Sequence, residues 1–138
     1  MELRFAHLAD YAAADPTGKI TLVGIFDLVW DHLKARPVPF PPCYLVASFA
    51  ASLVEGSGHD LEIKLVDADE KPVAPTLKAR LDFGTSGPGN PLRAQVVMGF
   101  GPGALRVPEP GDYAITFIVD GKPQGTVPVS VRELPPGA

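Results

Sequence analysis

The sequence predicts an all-β fold: a single-domain antiparallel β-sandwich of about eight strands, with Greek-key connections of the immunoglobulin-like or jelly-roll-like kind. Three observations lead there. Apolar and polar residues alternate with period two from one end of the chain to the other, while helical periodicity is nearly absent. Sixteen prolines and fourteen glycines among 138 residues punctuate the chain far more often than ordinary composition would. The stretch Leu105-Arg106-Val107-Pro108-Glu109-Pro110-Gly111-Asp112-Tyr113 sets a tyrosine at the start of an apolar strand after a leucine, prolines and a glycine. That is the pattern of a tyrosine corner, in which the phenol bonds back to the preceding loop. A closed barrel is the alternative arrangement.

The strands are expected near residues 2–13, 20–33, 44–54, 60–67, 75–83, 92–100, 112–120 and 125–132. Leu77, Ala79, Leu81 and Phe83 fall on one face of their segment and Lys78, Arg80 and Asp82 on the other, as an antiparallel strand with one wet side requires. Leu61, Ile63 and Leu65 alternate with Glu62 and Lys64, and Val127, Val129 and Val131 with Thr126, Ser130 and Arg132, in the same way. Asp15-Pro16-Thr17-Gly18, residues 55–60 and Asp67-Ala68-Asp69-Glu70-Lys71-Pro72 read as turns. Asp120-Gly121 is the strongest hairpin signal, because a two-residue connection needs the positive φ that this pair adopts readily. The run Arg36-Pro37-Val38-Pro39-Phe40-Pro41-Pro42 stiffens into an extended crossing that can carry the chain between sheets. Residues 84–91, rich in Gly, Ser and Pro, form a second irregular connection, and a disordered tail is expected near 133–138.

Two segments depart from simple alternation. Along residues 20–31 one face carries Ile20, Leu22, Gly24, Phe26, Leu28 and Trp30, and the other Thr21, Val23, Ile25, Asp27, Val29 and Asp31. Both faces are largely apolar, and residues 43–54 behave alike. A strand apolar on both sides must be covered twice, by the proline-rich crossing or by another subunit. The second option makes Val23, Ile25, Val29, Trp30, Phe40 and Tyr44 the candidate contact surface, with a homodimer or another protein as partner.

Ala9-Asp10-Tyr11, then Gly18-Lys19-Ile20-Thr21-Leu22-Val23-Gly24-Ile25-Phe26-Asp27, then the proline stretch and Tyr44-Leu45-Val46-Ala47, resemble a family of uncharacterised bacterial proteins of similar length. Its members show an acidic-aromatic pair, a Gly-Lys turn, a Leu-x-Gly-Ile-Phe-Asp strand and a closing Pro-Glu-Pro-Gly-x-Tyr followed by Val-Asp-Gly. The resemblance spans nearly the whole chain. It implies a bacterial, cytoplasmic β-sandwich of unknown function and carries over no catalytic or ligand residue. Members often have a cysteine where this chain has Ala9, so no thiol role transfers to that position.

Charge and motifs narrow the function classes. Twelve basic against sixteen acidic residues give a net charge of −4 without a basic cluster, which disfavours nucleic acid. Polar residues interrupt the N-terminal segment, and no apolar run approaches the length of a membrane span or a signal peptide core, so a cytoplasmic protein is expected. The lone Cys43 opens an apolar strand and reads as a small buried thiol. Asp27, Asp31 and His32 form the nearest approach to a metal-hydrolase set, yet a straight strand would hold the two carboxylates roughly 13 Å apart. Asp67-Ala68-Asp69 begins like a calcium loop but lacks the glycine and distal glutamate. Gly99-Phe100-Gly101-Pro102-Gly103 lacks the helix and Lys-Ser/Thr of a phosphate loop. Neither Gly84-Thr85-Ser86-Gly87 nor Gly56-Ser57-Gly58-His59 matches a nucleophile elbow. The expectation is therefore a non-enzyme without cofactor or metal. The alternative is a small-ligand or carbohydrate-binding module centred near Trp30, with Tyr11, Phe40 and Tyr44 as further aromatic contributors.

Overall fold

The computed structural model describes residues 1–52, 58–83 and 92–135. Among these the strands are β1 (Glu2–Ala14), β2 (Ile20–Phe26), β3 (Leu28–Asp31), β4 (Val38–Pro39), β5 (Cys43–Ala51), β6 (Gly58–Val66), β7 (Leu77–Asp82), β8 (Leu92–Phe100), β9 (Arg106–Val107), β10 (Gly111–Val119) and β11 (Lys122–Glu133). One sheet has the order β2-β1-β5-β8, the other β3-β11-β10-β6-β7, and β4 with β9 makes a two-residue ribbon. Every pairing is antiparallel except that of β3, which runs parallel to β11. The expected all-β sandwich is present, with finer subdivision than eight strands. The described residues leave out 84–91 and residues 55–57 of the turn expected at 55–60, and they show Gly58–Val66 already paired with its neighbours. β11 continues through Glu133, so the ordered chain extends into the segment read as tail.

The inward faces of the two sheets meet in one core. Phe49 of β5 and Phe117 of β10 are fully buried and pack edge to face with centroids 6.0 Å apart. Leu45, Leu61, Leu81 and Val129 surround them. Dispersion and apolar burial across this contact hold the sheets together. The Asp120-Gly121 hairpin forms as its sequence predicts, with φ of 49° and 80°, the mirror-image turn that matches strand twist. Asp15 closes the β1–β2 turn: its carboxylate accepts from Thr17 N at 2.8 Å, Thr17 Oγ1 at 2.6 Å and Lys19 N at 3.0 Å.

The segment 20–33 is two strands in different sheets. At Asp27 the chain leaves β1 and joins β11, and the Asp27 carbonyl accepts a 2.8 Å bond from Ser130 N. Crossing between sheets shifts the alternation by one residue. Phe26 points inward at the end of β2 beside Leu8, and Val29 and Asp31 then point inward from β3. Val29 is therefore core, because a sheet switch resets which parity faces inside.

The proline-rich crossing plugs one end of the sandwich. Val38 and Phe40 are buried, and Phe40 N donates to Leu105 O at 2.8 Å while its carbonyl accepts from Gly103 N at 3.1 Å. It does not cover Val23 or Ile25. What covers the second face of β5 is the β1–β2 hairpin itself. Val46 and Ser48 pair with His7 and Phe5 on the side away from the core, yet both are fully buried. The hairpin tip at Gly18 accepts a 2.8 Å bond from Gln95 Nε2, and Gln95 is the register neighbour of Ser48. A straight hairpin would carry Gly18 roughly 40 Å beyond that level, at ~3.3 Å per residue. The hairpin must therefore fold back over its own sheet.

Candidate functional site

Folding back leaves the upper side of the hairpin bare. Tyr11, Val23 and Ile25 are 50, 54 and 57% exposed, and Leu28, Trp30 and Leu33 follow immediately in the chain. Among the described residues seven large hydrophobic side chains are exposed, and all but Val97 come from this N-terminal stretch. Single exposed hydrophobics are ordinary, whereas their concentration along one stretch of chain makes this stretch the candidate contact surface. Among the described residues β2 is also an unpaired edge. It bonds to β1 alone, and Ile20–Phe26 contains no charge and no proline, the usual protections of a free edge.

Of the six residues the sequence assigns to a contact surface, Val23, Ile25 and Trp30 are exposed. Tyr44 is half-buried, edge to face with Tyr11 at 5.5 Å and lying over Gly99, where an added Cβ would stand 3.1 Å from its ring. Val29 and Phe40 are corrected: both are core residues, Val29 through the sheet switch and Phe40 because it stoppers the end of the sandwich. Leu33, 75% exposed in the loop after β3, was not legible as a surface residue, since nothing in its local pattern separates it from a strand end. The aromatics do not form a planar row, as Tyr11 and Tyr44 meet at 74° and Trp30 sits on the other sheet.

Beside the sheet switch lies a cleft of about 430 Å³, lined by Trp30, Leu33, Phe40, Pro41, Pro42 and Asp10 among others. Its charged groups are unequal. Asp31 is buried and fully engaged, accepting from Arg36 Nη1 at 2.8 Å and Lys34 N at 3.0 Å. Asp10 makes no hydrogen bond or ion pair among the described residues, and its carboxylate lies against Gly24. A Cβ at Gly24 would come within 2.3 Å of Asp10 Oδ2, and the backbone there has φ +70°, so glycine is required twice over. The Ala9-Asp10-Tyr11 and Leu22-Val23-Gly24 segments thus meet at Asp10, which itself lines the cleft. Burial, together with the negative charge of Asp10, pushes the Cys43 thiol up to about 11.

Of the remaining motifs, those on described residues make the following contacts. Asp27 is exposed, Asp31 is held by Arg36, and no group of three or more metal-ligating side chains occurs among the described residues. Asp67 accepts from Asp69 N and Lys71 N, both at 2.9 Å, so its carboxylate closes its own turn. Gly99 and Phe100 belong to β8. The Gly84-Thr85-Ser86-Gly87 motif and Gly56-Ser57 lie outside the described residues. His59 pairs with Asp120 at 2.6 Å and meets Phe83 edge to face at 5.6 Å. Asp120 also accepts from Asp60 N at 2.9 Å, and its bond with His59 holds its carboxyl below the usual range. The His59–Asp120 pair joins β6 to the far hairpin across 61 residues, a separation no local pattern announces. The Tyr113 hydroxyl donates to Glu109 O at 2.5 Å, and burial pushes its pKa up.

A family model described as a family of unknown function, DUF6941, matches residues 4–132. The chain belongs to that family. The DUF6941 match takes in the free edge of β2, the cleft with Asp10 and Trp30, and the Tyr113 corner, so all three lie within the family domain. No curated protein matches the chain.

Proposed function

We propose that this protein is a non-catalytic β-sandwich acting through protein contacts, and that it pairs with a second copy of itself along the free edge of β2. The observation that carries the reading is the coincidence of an uncharged, unpaired edge strand with the concentrated exposure of Tyr11, Val23 and Ile25. The phase of the hairpin supports it further. Asp15 N donates to Lys19 O at 2.9 Å, so odd-numbered residues of β2 direct their backbone groups to β1 and even-numbered ones outward. An antiparallel two-fold centred on Val23 uses those outward groups, pairing Leu22 with Gly24 and Ile20 with Phe26 of the other copy. It also brings Lys19 opposite Asp27 of the other copy, twice, since both stand four residues from Val23. Neither side chain has a partner among the described residues. Opposite charges across a strand pair favour one register over its neighbours.

In this arrangement Val23 faces its own copy in a non-hydrogen-bonded pair, about 4.5 Å between Cα atoms, which a disulfide spans. Oxidised Val23→Cys is expected to give a linked dimer and Thr21→Cys, opposite Ile25, is not. Lys19→Glu is expected to weaken association and the Lys19→Glu/Asp27→Lys swap to restore it. A protein that stays monomeric at ~300 µM, well above ordinary dimer dissociation constants, and yields no Val23→Cys cross-link contradicts the proposal. A second reading, a small-ligand module near Trp30, draws support from the apolar cleft.

A further inference from the structure

We infer that the cleft beside Trp30 is a binding site for an organic cation, an alkylammonium or guanidinium group carried on an apolar stem. The inference rests on the cleft and not on the β2 edge, so a monomeric protein would retain the site.

The argument begins with the walls. Trp30, Leu33, Phe40, Pro41 and Pro42 give the cleft an apolar lining, and about 430 Å³ admits a ligand the size of an amino-acid side chain with its backbone. Burying an apolar stem there is favourable in proportion to the area removed from water. The charge account then selects the head group. Asp31 is neutralised by Arg36, and His32 also lines the cleft. Asp10, exposed at the mouth of the cleft, is the lining acid without a protein partner among the described residues, and Gly24 leaves room for its carboxylate. Its field reaches the interior, since it contributes to the raised pKa of Cys43.

An anionic ligand would meet Asp10 as a like charge. A neutral ligand without a donor returns no bond to the carboxylate, and a neutral donor returns one weaker than a charge-assisted bond. A divalent metal needs several oxygen ligands, and the described residues offer no group of three. An ammonium or guanidinium satisfies Asp10 with a charge-assisted hydrogen bond while its stem lies on the apolar wall, and an aromatic ring such as Trp30 adds cation–π attraction.

Such a group has two sources, a free amine or a lysine or arginine side chain of a peptide, and the test separates them. Trp30 is the single tryptophan, so intrinsic emission reports on the cleft directly. Butylamine, N-acetyl-lysine methylamide and N-acetyl-arginine methylamide are titrated in parallel with neutral N-acetyl-norleucine methylamide, with calorimetry alongside. The expected result is saturable binding of at least one cation, at least tenfold tighter than the neutral compound. Stronger binding of the blocked amino acids assigns the site to a peptide side chain, and stronger binding of butylamine assigns it to a free amine. Asp10→Asn is expected to weaken the cation at least tenfold. Leu33→Lys, on the exposed rim and away from the core, is expected to weaken it by charge repulsion without altering thermal stability. Equal binding of the neutral compound, undiminished affinity in Asp10→Asn, or neither emission change nor heat for any cation at ~10 mM, the millimolar limit of weak recognition, overturns the inference.

Discussion

The chain is framed by two hairpins that deploy their apolar residues in opposite ways. In β10–β11, Tyr113, Ile115, Phe117 and Val119 alternate with outward residues, and Val127, Val129 and Val131 complete a fully buried face. In β1–β2 the tip folds over its own sheet, Ala12 is buried beneath it, and Tyr11, Val23 and Ile25 remain in water. The closing hairpin builds the core and leaves nothing over. The opening hairpin covers the back of β5 and keeps an apolar side and an unpaired edge available. The difference places buried core in one hairpin and exposed apolar surface in the other.

Truncation is the strongest way to sharpen that contrast. Phe117→Ala removes a fully buried ring and is expected to cost about 3–5 kcal/mol of stability. Ile25→Ser, on the bare side of the opening hairpin, is expected to change monomer stability by no more than about 0.5 kcal/mol. Urea unfolding of both variants at low micromolar concentration checks the pair.

Gly24→Ala tests whether the opening hairpin is held by backbone geometry. It combines a positive φ with a clash on the Asp10 carboxylate and is expected to destabilise by about 1–3 kcal/mol. Thermal unfolding gives the cost, and removing the clash with Asp10→Gly in the double variant is expected to recover only part of it.

Two single-atom changes are expected to have opposite signs. Tyr113→Phe deletes the bond to Glu109 O at the corner of the closing hairpin, for a loss of about 1 kcal/mol. Ser48 Oγ is buried beneath the opening hairpin without a hydrogen-bond partner among the described residues, so Ser48→Ala is expected to gain about 1 kcal/mol. Denaturant midpoints measured side by side separate the two.

How much of this was legible follows from where the information lies. Alternation in residues 77–83 and 125–132, and the Asp120-Gly121 turn, are local properties, and the structure forms them as the local chemistry dictates. The double apolarity of β5 and of residues 20–31 was visible too, but not its resolution. Whether Val29 points in or out depends on the sheet switch at Asp27, which is made by a bond from Ser130, far away in sequence. The fold-back of the hairpin is likewise recorded only in the contact between Gly18 and Gln95. The cleft escaped for the same reason, since Asp10, Leu33 and the prolines come from separate segments, whereas Trp30 on its lining is the centre that the sequence offers for a ligand.

The smallest expected effect concerns pH. Hydrogen bonding to His59 lowers the Asp120 pKa in the folded state, so its contribution is fully present above the ordinary carboxylate value and is lost as pH falls through the folded value. Asp120→Asn is therefore expected to lower Tm at neutral pH, with the difference from the parent protein narrowing below about pH 4. A gap that stays constant down to the acid transition would remove this hydrogen bond from the account.

Amide hydrogen exchange along β2 as a function of protein concentration addresses the proposed contact most directly. Ile20, Leu22, Gly24 and Phe26 turn their amides away from β1, so their protection is expected to rise between ~1 and ~300 µM by mass action, while Ile115 and Phe117 in β10 stay unchanged. Protection in β2 that is independent of concentration across that range would contradict a contact made by pairing at this edge.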